Sequence, residues 1–168
     1  MTGPAVDVLV LADTHIGRRS SRTLPPRVRE LADAADIILH AGDVVVAEVL
    51  DDLRTHAPVH AVLGNNDHEL VGVLPEVLAL ELAGVRTAMI HDSGAARGRT
   101  RRMRRRFPDA ELVVFGHSHI PWDTAHDGQV LFNPGSPTQR RRQAHHTVGW
   151  LHLEAGRILE RRIEVVGP

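Results

Sequence analysis

The sequence predicts an α/β sandwich built around a mixed sheet. Short apolar runs of β type alternate with helical stretches up to about residue 115, and the last part of the chain changes to the period of two long strands. Five of the apolar runs also stop at a small group of Asp, Asn or His, which is how strands end where a ligand is held.

Taken in order, Val6–Ala12 (VDVLVLA) reads as a buried strand. Pro25–Ala35 reads as a helix opened by proline, whose missing N–H has no partner to lose in a first turn. Ile37–His40 is a second strand and Ala47–Thr55 a second helix. Val59–Leu63 is a third strand, closed by the turn-rich Gly64-Asn65-Asn66-Asp67. Val77–Ile90 is ambiguous, with two β-type pieces around Ala83-Gly84. Arg99–Phe107 is helical in pattern and Leu112–Phe115 is another buried strand. Asn133-Pro134-Gly135-Ser136 predicts a tight turn near the pocket. Beyond it, HTVGWLHLE and RILERRIEV, joined by Ala155-Gly156, predict an antiparallel hairpin.

Composition narrows the class. With 168 residues, 42% hydrophobic and 24% charged, the chain fits one globular domain over residues 1–168. No stretch approaches the ~18–20 apolar residues of a membrane span, and the N-terminus lacks the basic region of a signal peptide. Cysteine is absent, which excludes disulfides and thiolate ligands and fits a reducing cytoplasm. A net charge of −1 gives no global argument for nucleic acid or an anionic membrane. There is no lysine, and the arginines gather in Arg99–Arg106 and Arg140–Arg142. A solvated helix face is the preferred reading of the first group, since a nucleic-acid surface would gain from aromatics that this chain scarcely has. A homo-oligomer is left open.

The chemistry sits at the strand ends. One run ends in Asp13-Thr14-His15, the next in Gly42-Asp43 and the third in Gly64-Asn65-Asn66-Asp67. Two later ones end in His91-Asp92 and in Gly116-His117-Ser118-His119. If the five strands lie side by side, these termini meet in one pocket. Asp13 and His15 are two apart, as are His117 and His119, so in extended backbone each pair projects to one side. Asp13, His15, Asp43, Asn65, His91, His117 and His119 make seven oxygen and nitrogen donors, too many for one tetrahedral zinc. They suit two divalent ions with a shared carboxylate. The mixed imidazole–carboxylate set suits Mn, Fe, Zn or Ni, whereas Mg alone would prefer oxygen.

The series D-x-H, G-D, G-N-x-D, a lone His after a strand, then G-H-x-H resembles the calcineurin-like metallophosphoesterases. The short length and the NPGS tail resemble their small bacterial and archaeal phosphodiesterase branch, which is similar in fold to Vps29. That resemblance implies an αββα four-layer sandwich of mixed sheets flanked by helices. It places Asp13, His15 and His119 on one metal, Asn65, His91 and His117 on a second, and Asp43 between them, with two Mn2+ ions as the leading choice. It implies hydrolysis of a small nucleotide-type phosphodiester by a metal-bridging hydroxide, with a phosphomonoesterase or a non-catalytic scaffold as alternatives. Asp13, His15, Asn66 and Asp67 are the catalytic candidates, Asp67 as support for a ligand or a catalytic group. Asn65, Asn66 and Arg18 are the substrate-binding candidates, with Arg97 and Arg140–Arg142 also in reach of a phosphate.

Two departures stand out. Asn66 occupies a position where many relatives have a histidine that protonates the leaving group. An amide donates a hydrogen bond but delivers no proton, which leaves His68 as another acid. Asp92 stands where glycine commonly follows the ligand histidine, and is read either as an acceptor for His91 or as a cap. His40, inside an apolar run, reads as a satisfied core histidine. His56, His60, His126, His145, His146 and His152 read as surface or core, not as ligands.

Overall fold

A computed structural model describes residues 4–168. Met1–Gly3, the start of the stretch read above as no signal peptide, lie outside the described residues. The first strand, β1 (Val6–Leu11), explains the architecture. Val8 and Val10, with Ala12 beyond them, face one side and Leu9 and Leu11 the other, and all five are wholly buried. A strand covered on both faces reads as a continuous apolar run, which is why β1 is so plain in the sequence.

β1 is the middle strand of a five-stranded sheet ordered β10-β9-β1-β2-β3. Here β2 is Ile37–His40, β3 Val59–Ala61, β9 His146–Glu154 and β10 Arg157–Gly167. β2 and β3 run parallel to β1, and β9 antiparallel. The helices α1 (Pro26–Ala34) and α2 (Ala47–Arg54) supply the crossovers. Their buried residues, Val28, Leu31 and Ala32 on α1 and Val49, Leu50 and Leu53 on α2, pack on the Leu9/Leu11 face.

A second five-stranded sheet is ordered β4-β5-β6-β8-β7. It comprises β4 (Val77–Leu82), β5 (Val85–Ile90), β6 (Leu112–Val114), β7 (Trp122–His126) and β8 (Gln129–Asn133). β5, β6 and β8 are parallel. The two sheets meet through Val8, Val10, Met89, Val114 and Phe132. On the outer face of the second, α3 (Arg99–Arg106) buries Met103 against Ala88, Val113 and Phe115. The layers are therefore helix, sheet, sheet, helix, as the resemblance implied. Among the described residues no helix is long and apolar enough to cross a membrane.

Several expectations are corrected. The five chemistry-bearing strands do not lie side by side in one sheet: β1, β2 and β3 belong to the first and β5 and β6 to the second. Within each sheet these strands are parallel, so their carboxyl ends converge across the sandwich instead. The ambiguous stretch is the β4–β5 hairpin, turned by Ala83 and Gly84 at φ 47° and 83°. The β7–β8 hairpin was not anticipated, because WDTAH is mostly exposed and carries no apolar period. Its turn, Asp127-Gly128 at φ 47° and 75°, is a strong two-residue hairpin signal in the sequence.

Candidate metal centre

The strand ends do not continue as extended chain. Asp13, His15, Asp43, His117 and His119 have φ of 56°, 45°, 57°, 72° and 61°. The expectation that i and i+2 pairs share a side through extended backbone is thus corrected. These side chains converge because the chain turns left-handed at each of them. For residues other than glycine that conformation costs roughly 1–2 kcal/mol apiece, so neighbouring contacts must hold it. Asp13 N–H donates to Gly42 O (2.9 Å) and His15 N–H to Asp43 O (3.0 Å). Ser136 Oγ donates to Asp13 O (2.7 Å) and Thr138 Oγ1 to Thr14 O (2.5 Å). Gly64 is needed for close approach, since a Cβ there would strike the backbone and carboxylate of Asp43.

All seven predicted donors come together, in two groups between which both Asp13 and Asp43 lie. In the first, His15 Nε2 lies 3.2 Å from His119 Nε2, 3.3 Å from Asp43 Oδ2 and 3.8 Å from Asp13 Oδ1. His119 Nε2 is 3.6 Å from the same Asp13 oxygen. In the second, Asn65 Oδ1 is 3.0 Å from both His91 Nε2 and His117 Nδ1. His91 Nε2 is also 3.4 Å from Asp43 Oδ2. Two donors about 2.1 Å from a common ion lie about 3.0–3.6 Å apart, so all of these separations except the 3.8 Å from His15 to Asp13 suit shared cations. Asp13–His15–His119 and Asp13–Asp43–His91 are each close enough to hold one.

Asp13 supplies the sharper test. Its Oδ2 accepts His117 N–H (2.9 Å), but Oδ1 is buried with no hydrogen-bond donor, amid the Nε2 atoms of His15, His91 and His119 at 3.6–3.9 Å. An ionised oxygen left this way costs several kcal/mol unless a cation completes it. The ring orientations agree. His91 Nδ1–H donates to Ala41 O (2.7 Å) and His119 Nδ1–H to Gln139 O (2.5 Å), which leaves each Nε2 lone pair aimed at the cluster.

Electrostatics follow from this crowding. Burial opposes ionisation of Asp43, but His91 and two hydrogen bonds from Asn66 outweigh it and hold its carboxyl well below the ordinary range. Burial likewise opposes a charge on His91, yet Asp43 and Asp13 raise it. His119 is lowered, first by burial.

The supporting residues divide clearly. Asp67, almost wholly buried, accepts from Gly64 N–H (2.7 Å), Asp43 N–H (3.0 Å) and Val45 N–H (2.7 Å), tying together the loops after β2 and β3. Asn66 donates its backbone N–H and its side-chain amide to the two oxygens of Asp43 (2.9 and 2.8 Å). Asp92 Oδ1 accepts from Gly94 N–H (2.7 Å), the capping alternative, and His91 is oriented by a backbone carbonyl instead. Arg18 pairs with Glu48 and Glu69 and makes no hydrogen bond to the cluster. His68 lines a cleft of about 380 Å³ together with Asn65 and His91. His40 is wholly buried and satisfied, accepting Gly42 N–H at Nδ1 (3.2 Å) with Nε2 3.1 Å from Thr14 Oγ1. Sequence reasoning missed Thr138 and Gln139, which fasten Thr14 and His119; the NPGS turn before them was the available signal.

The calcineurin-like phosphoesterase superfamily domain matches residues 6–156. The chain belongs to that superfamily. It is 36% identical over 134 residues to a "Probable metallophosphoesterase" of Methanothermobacter thermautotrophicus, covering 79% of this chain and 77% of the relative. In fold it is similar to the wild-type Vps29 of Entamoeba histolytica complexed with zinc. The TM-score is 0.77 at 22% identity, over 96% of this chain and 98% of that one. It is also similar to a novel archaeal phosphodiesterase, with TM-score 0.72 and 20% identity over 95% and 99% of the two chains. At such identities the two structures speak to the fold alone.

Proposed function

We propose that this superfamily member is a dinuclear metal-dependent phosphodiesterase that hydrolyses small nucleotide-type phosphodiesters, with Mn2+ as the working ion. The observation that carries the reading is the buried, donorless Asp13 Oδ1 surrounded by three imidazole nitrogens. Asp13, His15 and His119 would hold one ion, Asn65, His91 and His117 the other, and Asp43 both. Such ions supply a nucleophile at neutral pH and offset charge on the phosphoryl oxygens. The diester reading carries over to this chain the activity named for the archaeal phosphodiesterase of like fold, and the paired substrates below test it.

The chain's own residues set the rest. The carbonyl partners of His91 and His119 hold each neutral ring as the Nδ1–H tautomer with Nε2 toward the cluster, and since Asp43 and Asp13 favour a proton on His91, metal binding there would release it. Asn66 orients Asp43 through both its oxygens and carries no proton for a leaving group. Substrates with good leaving groups therefore suit the site best, and His68, in the cleft beside Asn65 and His91, is the acid for others. A cleft of about 380 Å³ accommodates a small ligand.

The test is metal analysis with paired substrates, bis-p-nitrophenyl phosphate and the matching monoester. Wild type should bind two Mn2+ and turn over the diester faster, and Asp43→Ala should lose at least about 100-fold. Equal rates for wild type and Asp43→Ala would end the metal reading. Faster turnover of the monoester would leave the metals and replace the substrate class.

A further inference from the structure

The arginines Arg140–Arg142 follow the NPGS turn, and the ligand set makes no use of them. The loop that carries them is fastened to the metal centre. Ser136 Oγ donates to Asp13 O (2.7 Å) and accepts Gln139 N–H (2.9 Å), and Gln139 O in turn accepts His119 Nδ1–H (2.5 Å). Just beyond, Gln143 N–H donates to Arg140 O (2.9 Å) and closes a turn in which Arg141 has φ 53°. A left-handed backbone is unfavourable for arginine, and residues held that way gather where a side chain must be aimed. Here Arg141 Nη1 reaches back to His117 O at 3.5 Å.

The charge of Arg141 is free for a ligand. Among the described residues it forms no ion pair, whereas Arg18, the arginine expected to meet substrate, is held by both Glu48 and Glu69. That charge is also felt at the centre. Burial is the main reason that His119 is lowered, and the guanidinium of Arg141 adds to it.

Arg22 is likewise unpaired, and its Nη1 lies 3.5 Å from His15 O. The two arginines differ in the ligands they stand beside. His15 belongs to one group of donors, whereas the loop under Arg141 carries His117 of one group and His119 of the other. A phosphate shared between the two groups is therefore closer to the station of Arg141 than to that of Arg22. A guanidinium can grip two oxygens of one phosphate, a stronger bond than the long contact with a neutral carbonyl that it replaces. We propose that Arg141 is a substrate-binding residue whose guanidinium grips the non-bridging oxygens of the phosphoester at the metal centre. The assignment rests on the two-metal reading and adds the side chain that holds the anion there. Arginine stays charged at every working pH, so this grip needs no titration.

The experiment is calorimetric titration of inorganic phosphate into protein loaded with Mn2+ and freed of excess metal, beside hydrolysis of bis-p-nitrophenyl phosphate. Wild type should bind phosphate. Arg141→Gln should weaken that binding about 10–100-fold and lower kcat/KM by a similar factor, as the loss of hydrogen bonds to a charged group does. Arg141→Lys should recover only part, because an ammonium keeps the charge without the fork. Removing the partner of a metal ligand costs about 10–100-fold in metal affinity, whereas these two variants should change Mn2+ affinity less than about twofold. Arg157 pairs with Glu154 beside the start of β1, at the far end of the first sheet, and Arg157→Gln should match wild type throughout.

Four results would overturn the proposal: wild type loaded with Mn2+ that binds no phosphate, Arg141→Gln that binds it as wild type does, parallel loss of phosphate and Mn2+ in that variant, or a larger loss of phosphate in Arg22→Gln. Failure of wild type to take up Mn2+ would bring down the metal reading, and the phosphate grip with it. Phosphate binding that depends on Arg141, without turnover of the diester, would end the proposed reaction and keep the anion site.

Discussion

One oxygen of Asp13 accepts the His117 N–H at 2.9 Å, while the other is buried with no donor at all. Such an atom weakens the metal-free fold, because a charge is desolvated without compensation. Asp13→Asn keeps the shape and removes the charge. The metal-free variant should therefore melt no lower than wild type, and up to about 2 kcal/mol more stably, while metal-dependent hydrolysis falls at least about 100-fold. Calorimetry in EDTA beside an activity assay checks both, and a large loss of metal-free stability would mean that the oxygen has another partner. His40 lies one layer below. Burial is the main reason its pKa drops to about 4, against the pull of Asp67 and Asp13. The unfolded chain takes up a proton near pH 6.5 and the folded one only near 4, so stability is full above 6.5 and falls as pH drops through that window. The loss amounts to up to about 3 kcal/mol. Urea midpoints of wild type and His40→Gln in EDTA should differ in pH slope there, the variant being flatter.

At the level of elements, the site depends on loops more than on strands. Asp67 joins the loop after β2 to the loop after β3 with three backbone hydrogen bonds. An amide in its place would turn an NH2 group toward one of those N–H donors, so Asp67→Asn should cost about 2–3 kcal/mol and lower metal affinity 10–100-fold. Titration calorimetry with Mn2+ checks the second figure, and unchanged affinity would reduce Asp67 to a purely structural brace. These loops also mark what was legible in advance. β1, β2 and β6 were plain because they are covered on both faces, and five of the seven candidate donors, Asp13, His15, Asp43, His117 and His119, follow those strands. β7 was not, because its residues face solvent and alternate with nothing. The left-handed turns at Asp13, His15, His117 and His119 leave only a weak trace in residue type, since Asp and His adopt that region more often than most residues other than glycine. They are imposed from a distance, by Ser136 and Thr138 on the Asp13–Thr14 carbonyls and by Asn133 Nδ2 on Gly116 O (3.0 Å). Spacing could pick out the candidate donors that converge but not the backbone path that joins them.

Across the whole molecule, the donors come from both sheets. Asp13, His15, Asp43 and Asn65 follow strands of the first sheet, and His91, His117 and His119 follow strands of the second. The sheets meet chiefly through apolar side chains such as Val10, Met89 and Phe132, with polar ties such as Arg161–Asp123 and Gly156 N–H to Ala83 O, so ions bound at Asp43 would add a clamp at one end. Ligand that binds only the folded state stabilises by about 2.7 kcal/mol at a hundred times its Kd. For a chain of this length each kcal/mol moves Tm by about 2–4 °C, so one occupied site should raise it by about 5–10 °C. Thermal melts in EDTA and in Mn2+ should show this rise in wild type and not in Asp43→Ala, which loses the shared ligand. Asp67→Asn should show a rise that needs more metal to reach the same height, since it weakens affinity without removing a donor. A Tm indifferent to Mn2+ would mean that the sheets are already held as firmly as any ion could hold them, and with that the clamp would fall.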